Sequence, residues 1–147
     1  MGLHVGNFHR LQRESNDGKW LDFSANINPL GVPSSFKEAI VNNLVPLTLY
    51  PDPEYISLRK ALPEFSNVAT KNIIAGNGAT EIIFLFFKAM KAEKALIIGP
   101  TFAEYERAAE SAGTRVDYFL LAPEKGFKID LNALAIALDK GYKILTL

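Results

Sequence analysis

Asn72-Ile73-Ile74-Ala75-Gly76-Asn77-Gly78-Ala79-Thr80-Glu81 joins a short β-type run, Asn72 to Ala75, to a turn built on two glycines. The apolar residues that follow read as a helix from about Thr80 to Met90. The alternation then repeats: a strand at Lys94 to Ile98, a helix from about Phe102 to Ala112, and a strand at Arg115 to Leu121. After the loop Ala122-Pro123-Glu124-Lys125-Gly126, Asp130 is placed to cap a helix through Leu131, Leu134, Ala135 and Leu138. Gly141 closes that helix before a last strand, Lys143 to Leu147. Strands alternating with helices predict an α/β fold with a largely parallel, two-sided sheet.

Upstream the chemistry is that of loops and turns. Ser24-Ala25-Asn26-Ile27-Asn28-Pro29-Leu30-Gly31 and Val32-Pro33-Ser34-Ser35 are rich in turn residues. Ser34 and Ser35 are candidate N-caps for a helix to about Leu44, with Phe36, Ala39, Ile40 and Leu44 on one face and Pro46 as its stop. Tyr50-Pro51-Asp52-Pro53-Glu54-Tyr55 forces extended or turned backbone, because a residue before proline is pushed out of the helical region. A second helix is expected from about Glu54 to Leu62.

Composition narrows the function classes. The 147 residues carry 16 Lys+Arg against 16 Asp+Glu, no cysteine, and 48% hydrophobic residues. Without a cationic block there is no footprint for a nucleic-acid backbone. The apolar run Ile82 to Phe87 is far too short to span a bilayer, and Met1 to Asn7 lacks the basic-then-apolar order of a signal peptide. A cytoplasmic protein without nucleic-acid or membrane partners is expected, and no metal site. A terminal strand lacking the loop and helix that should follow it reads as an interruption, so a fragment of a longer protein is also expected.

Two segments have the chemistry of a site. The glycines of Gly76 to Glu81 let the backbone turn sharply, and the helix that starts there aims free N–H groups and a partial positive charge outward, where a phosphate would fit. The alternative is a plain strand-to-helix turn capped by Thr80. Neither the third glycine of a dinucleotide loop nor the lysine of a Walker loop is present. In Gly99-Pro100-Thr101-Phe102-Ala103-Glu104-Tyr105-Glu106-Arg107, Phe102 is placed to offer a ring face at a strand's carboxyl end. Here the alternative is ordinary packing of Phe102 and Tyr105 against the sheet. Glu104 and Glu106 are expected to form solvated pairs with Arg107.

Ser24 to Gly31, Tyr50-Pro51-Asp52-Pro53, Gly76 to Glu81 and Pro100-Thr101-Phe102 occur in the order and approximate spacing of the aspartate-aminotransferase-like, pyridoxal-phosphate-dependent enzymes, which the chain resembles over nearly its whole length. Within that superfamily it resembles the threonine-phosphate decarboxylases and their histidinol-phosphate aminotransferase relatives. His4-Val5-Gly6-Asn7, with Val5 where the family has glycine, Asp22 to Gly31, and Phe102-Ala103-Glu104-Tyr105 favour the decarboxylases.

The resemblance implies the first part of the aspartate-aminotransferase-like fold, truncated. Residues 1–45 would be an N-terminal arm and small-domain segment, and 46–147 the start of the cofactor-binding large domain. It implies pyridoxal 5'-phosphate as cofactor, with Gly78, Ala79 and Thr80 on its phosphate and Phe102 stacked on its ring. Tyr50 would reach the cofactor phosphate of a neighbouring subunit, which makes a homodimer part of the site. His4 and Asn28 would contact a small phosphorylated amino acid, with His4 pairing with its phosphate. Asn7, Asn26, Tyr55 and Tyr105 stay open between site and structural roles, and His9 is given none. The Schiff-base lysine is expected beyond Leu147, so this segment holds no catalytic residue. The implied activity of a full-length chain is decarboxylation of threonine phosphate in cobalamin biosynthesis. The alternatives are a histidinol-phosphate or related aminotransferase, or a non-catalytic fragment that binds phosphate or a partner.

Overall fold

A computed structural model describes residues 13–14, 26–62 and 67–147. Its helices are α1 (Ser34–Asn42), α2 (Ile56–Ala61), α3 (Gly78–Met90), α4 (Glu104–Ser111) and α5 (Leu131–Leu138), and its strands β1 (Lys94–Gly99), β2 (Arg115–Leu120) and β3 (Ile144–Thr146). Short 3-10 turns occupy Val45–Thr48, Thr70–Asn72 and Pro123–Lys125. The chain packs as two units, Met1–Ile56 and Ser57–Leu147.

The second unit holds a parallel sheet in the order β2-β1-β3. β1 lies in the middle because Ala95-Leu96-Ile97-Ile98 is apolar at every position and suits a strand covered on both faces. One face carries Ala95 and Ile144 against Phe87, Ala108 and Ala109, which brings α3 and α4 onto that side. The other carries Leu96 and Ile98 against Leu134 of α5, with Phe119 and Tyr142 beside them. Two linkers are tied together where the buried Thr114 hydroxyl donates to the Ala92 carbonyl at 2.8 Å. Asp130 caps α5 as its sequence predicts, accepting from the N–H groups of Asn132 and Ala133 at 3.0 Å each.

Several local expectations are corrected. Asn72 to Ala75 does not form a strand. Asn72 closes a 3-10 turn, Ile73 is extended, and Ile73 to Ala75 has no sheet partner among the described residues. Ile74 instead lies beside Ile82, Leu85, Phe86 and Ala89 of α3. Neither Ser34 nor Ser35 caps α1; Pro33 occupies the cap position at φ −55° and ψ 141°, so Ser34 is already helical. In α2 the start moves from Glu54 to Ile56. Tyr55 is left-handed at φ 50°, and the Asp52 carboxylate accepts from the N–H groups of both Glu54 and Ile56 at 3.0 Å. Those two donors hold the Asp52 carboxyl below the usual carboxylate range. The apolar face of α1 forms but is exposed, with Phe36 at 57% and Ile40 at 49%.

Candidate functional site

α3 is 13 residues long, about 20 Å at 1.5 Å per residue. The six residues of β1 span about the same length. A three-residue link, 91–93, reverses the chain between them, and Phe87 packs with Ala95. α3 therefore runs antiparallel to β1, and its first turn stands level with the strand's carboxyl end. There the chain leaves through a cis Gly99–Pro100 bond to Thr101 and Phe102. The two candidate segments thus lie toward the same end of the sheet, the end at which open α/β sheets keep their ligands.

The two glycines of the α3 turn are constrained differently. A Cβ on Gly76 would lie 2.7 Å from Ile82 Cδ1, so a side chain there would have to displace the ends of the Ile82 and Glu81 side chains. Gly78 has open space around it but sits at φ 85°, a conformation that costs an L side chain dearly. Asn77 is the cap residue, and its side chain makes no capping bond. That overturns the alternative in which Thr80 caps the helix; Thr80 is its third residue. The Gly78 N–H donates to the Gly76 carbonyl at 2.9 Å, and the Asn77 N–H donates to the Glu81 carboxylate. Among the described residues the N–H groups of Ala79 and Thr80 have no acceptor. With the Thr80 hydroxyl they form an exposed donor set at the positive end of a helix dipole, which suits an anion.

Phe102 is 41% exposed. Its ring meets Tyr105 edge-on, with centroids 6.0 Å apart and planes at 89°, and its carbonyl accepts from the Tyr105 N–H at 3.2 Å. Packing and an available ring surface therefore coexist at this residue. The expected pairing with Arg107 is found for Glu104, at 2.7 Å, and Arg107 is exposed; what differs is that Glu104 itself is buried at 8% exposure. Burial, together with the negative charge of nearby Glu106, raises the pKa of the Tyr118 hydroxyl.

The remaining predicted residues lie elsewhere. Asn28, in the first unit, uses its side chain on its own turn, accepting from Leu30 N–H at 3.0 Å and donating to the Gly31 carbonyl at 3.3 Å. Tyr50, in the same unit, is fully exposed. His4, Asn7, His9 and residues 22–25 lie outside the described residues. Lys88 is in the last turn of α3, Lys91 is its left-handed C-cap, and Lys94 begins β1 at the end opposite Phe102. No described helix is long and apolar enough to cross a membrane.

Two polar links were not foreseen from sequence. Glu81 reaching back to the Asn77 N–H is half of a capping box displaced by one residue, so the four-residue spacing was a usable signal. Asp117 accepts from the Tyr142 hydroxyl at 2.6 Å and from Arg115 at 3.1 Å, which lowers the Asp117 pKa and raises that of Tyr142. These partners are 25 residues apart and meet only through the strand order, so no local pattern announces them.

The sequence profile of the family "Aminotransferase class I and II" matches residues 18–147. The chain is 43% identical over 122 residues to the threonine-phosphate decarboxylase of Salmonella typhimurium, covering 81% of this chain and 34% of that protein. It is 36% identical over 133 residues to the adenosylcobalamin biosynthesis bifunctional protein CobDQ of Leptospira interrogans, covering 89% of this chain and 15% of that protein. Among solved structures, the histidinol-phosphate aminotransferase of Clostridium acetobutylicum superposes with a TM-score of 0.68 at 37% identity, over 79% of this chain and 34% of that one. The chain thus spans about a third of the length of the Salmonella and Clostridium proteins. With a match that runs from residue 18 through residue 147 and a backbone that follows a solved member, the chain belongs to the class I and II aminotransferase family and has its aspartate-aminotransferase-like α/β fold.

Proposed function

We propose that the protein binds pyridoxal 5'-phosphate at the carboxyl end of β1 and acts on a small phosphorylated amino acid, releasing carbon dioxide from threonine phosphate in cobalamin biosynthesis. The observation that carries this reading is the first turn of α3, whose Ala79 and Thr80 N–H groups have no acceptor among the described residues and stand level with the partly exposed ring of Phe102. A doubly charged phosphate ester fits that donor set, and a flat heteroaromatic ring fits the face of Phe102. When bound, the cofactor supplies an electron sink for cleavage of a bond at the substrate's Cα.

The chain's own residues bind and orient. Gly78 shapes the turn, Ala79 and Thr80 hold the phosphate, and Phe102 keeps the ring in plane. Tyr50 serves the cofactor phosphate of the partner in a homodimer, and Asn28 and His4 position the substrate. Residues 46–147 form the first part of the cofactor domain, with 1–45 as arm and small-domain segment. None of Lys88, Lys91 and Lys94 is assigned as the Schiff-base lysine.

The identity to the Salmonella decarboxylase and to the Leptospira protein supports this substrate and setting. The likeness to the Clostridium structure favours a second reading, histidinol-phosphate aminotransferase. The protein translated from the complete reading frame, supplied with pyridoxal 5'-phosphate, separates them. Carbon dioxide released from threonine phosphate supports the first reading, and amino transfer from histidinol phosphate to a 2-oxo acid replaces it with the second. Cofactor binding with neither reaction leaves a binding protein without catalysis, and no cofactor binding overturns the cofactor assignment.

A further inference from the structure

The geometry points to Tyr105 as a positioning residue that sets the orientation of the Phe102 ring and thereby the seat of the cofactor ring. This inference rests on the proposal that Phe102 faces the cofactor. Tyr105 lies three and four residues before Ala108 and Ala109, so it shares their face of α4. Ala108 and Ala109 are at 0% exposure, packed with Phe87 and Ala95, which fixes that face against the sheet. Within α4 itself, the buried Glu104 pairs with Arg107 at 2.7 Å across the same turn. Tyr105 is therefore half-buried at the start of a helix whose next turn is packed against the sheet.

From there it grips Phe102 twice. The Tyr105 N–H donates to the Phe102 carbonyl at 3.2 Å, and the rings meet edge to face at 6.0 Å and 89°. At 41% exposure the Phe102 side chain has open space on part of its surface, and a fixed neighbour is what selects among its rotamers. The perpendicular contact selects one orientation while leaving ring surface uncovered, as a stacking partner requires.

The test uses the protein from the complete reading frame in three variants, Tyr105→Leu, Tyr105→Phe and Phe102→Ala. The readouts are the dissociation constant for pyridoxal 5'-phosphate and the visible circular dichroism of the bound cofactor, which reports the asymmetry of its seat. Tyr105→Leu is expected to weaken binding about three- to tenfold, the scale of a lost aromatic pair, and to reduce the dichroic band. Tyr105→Phe keeps the aromatic ring and should behave as the parent protein. Parent-like affinity and dichroism in Tyr105→Leu, or equal loss in Tyr105→Phe, overturns the inference while Phe102→Ala still loses affinity. If Phe102→Ala binds as tightly as the parent protein, the stacking assignment itself fails and takes this role with it.

Discussion

α5 begins with its dipole end closed by its own sequence, since one Asp130 oxygen accepts from Asn132 and Ala133 N–H at 3.0 Å each. α3 begins with Asn77 making no side-chain cap, a left-handed Gly78, and its nearby carboxylate, Glu81, folded back to accept from the Asn77 N–H. Both helices pack on the same sheet. The difference lies in what satisfies their first N–H groups: in α5 a neighbouring side chain does so, whereas in α3 those of Ala79 and Thr80 remain as donors. A helix start that the sequence declines to cap, at the carboxyl edge of a parallel sheet, is where an anion is to be sought.

Substitutions at the two starts should separate folding from binding. Gly78→Val places a β-branched residue at φ 85°. It should cost about 1–3 kcal/mol in chemical denaturation and abolish measurable binding of pyridoxal 5'-phosphate, since the donor set turns with the backbone. Thr80→Val removes a hydroxyl without changing shape. It should weaken cofactor binding about tenfold or more, on the scale of a hydrogen bond to a charged group, while leaving the unfolding midpoint near that of the parent protein. Asp130→Ala should do the reverse, lowering stability by about 1 kcal/mol with unchanged cofactor affinity. The smallest effect is expected for Asn77→Ala, within about 0.5 kcal/mol in stability, because its side chain makes no capping bond. A loss in Asn77→Ala as large as that in Asp130→Ala would erase the contrast between the two starts.

The same contrast explains what could be read from the chain in advance. The central strand was legible because Ala95-Leu96-Ile97-Ile98 is apolar on both faces, and α5 was legible because an aspartate precedes an apolar helical run. The glycine turn and Phe102 each had a plain structural alternative, and only the resemblance to the pyridoxal-phosphate enzymes joined them as a candidate site. Ile73 to Ala75 misled because β-type residues can pack against a helix instead of pairing in a sheet, as Ile74 does beside α3. Ser34 misled because Pro33 had already set the cap conformation. The burial of Glu104 was hidden, since helix periodicity alone does not say how deeply the first turn of α4 sinks beside β1.

β1 is bonded along both edges, to β2 from Lys94 through Gly99 and to β3 from Ala95 through Ile97, with side chains covered above and below. Its amides can trade their protons for deuterons only when the surrounding unit opens, so among the described residues they should keep the slowest clock. The unbonded amides of Ala79 and Thr80, a strand's length away from its start, should exchange fast. A bound phosphate would slow the fast clock and barely touch the slow one. Occupancy at this end of the sheet is therefore readable as a change in tempo at two residues, against a strand that serves as its own timekeeper.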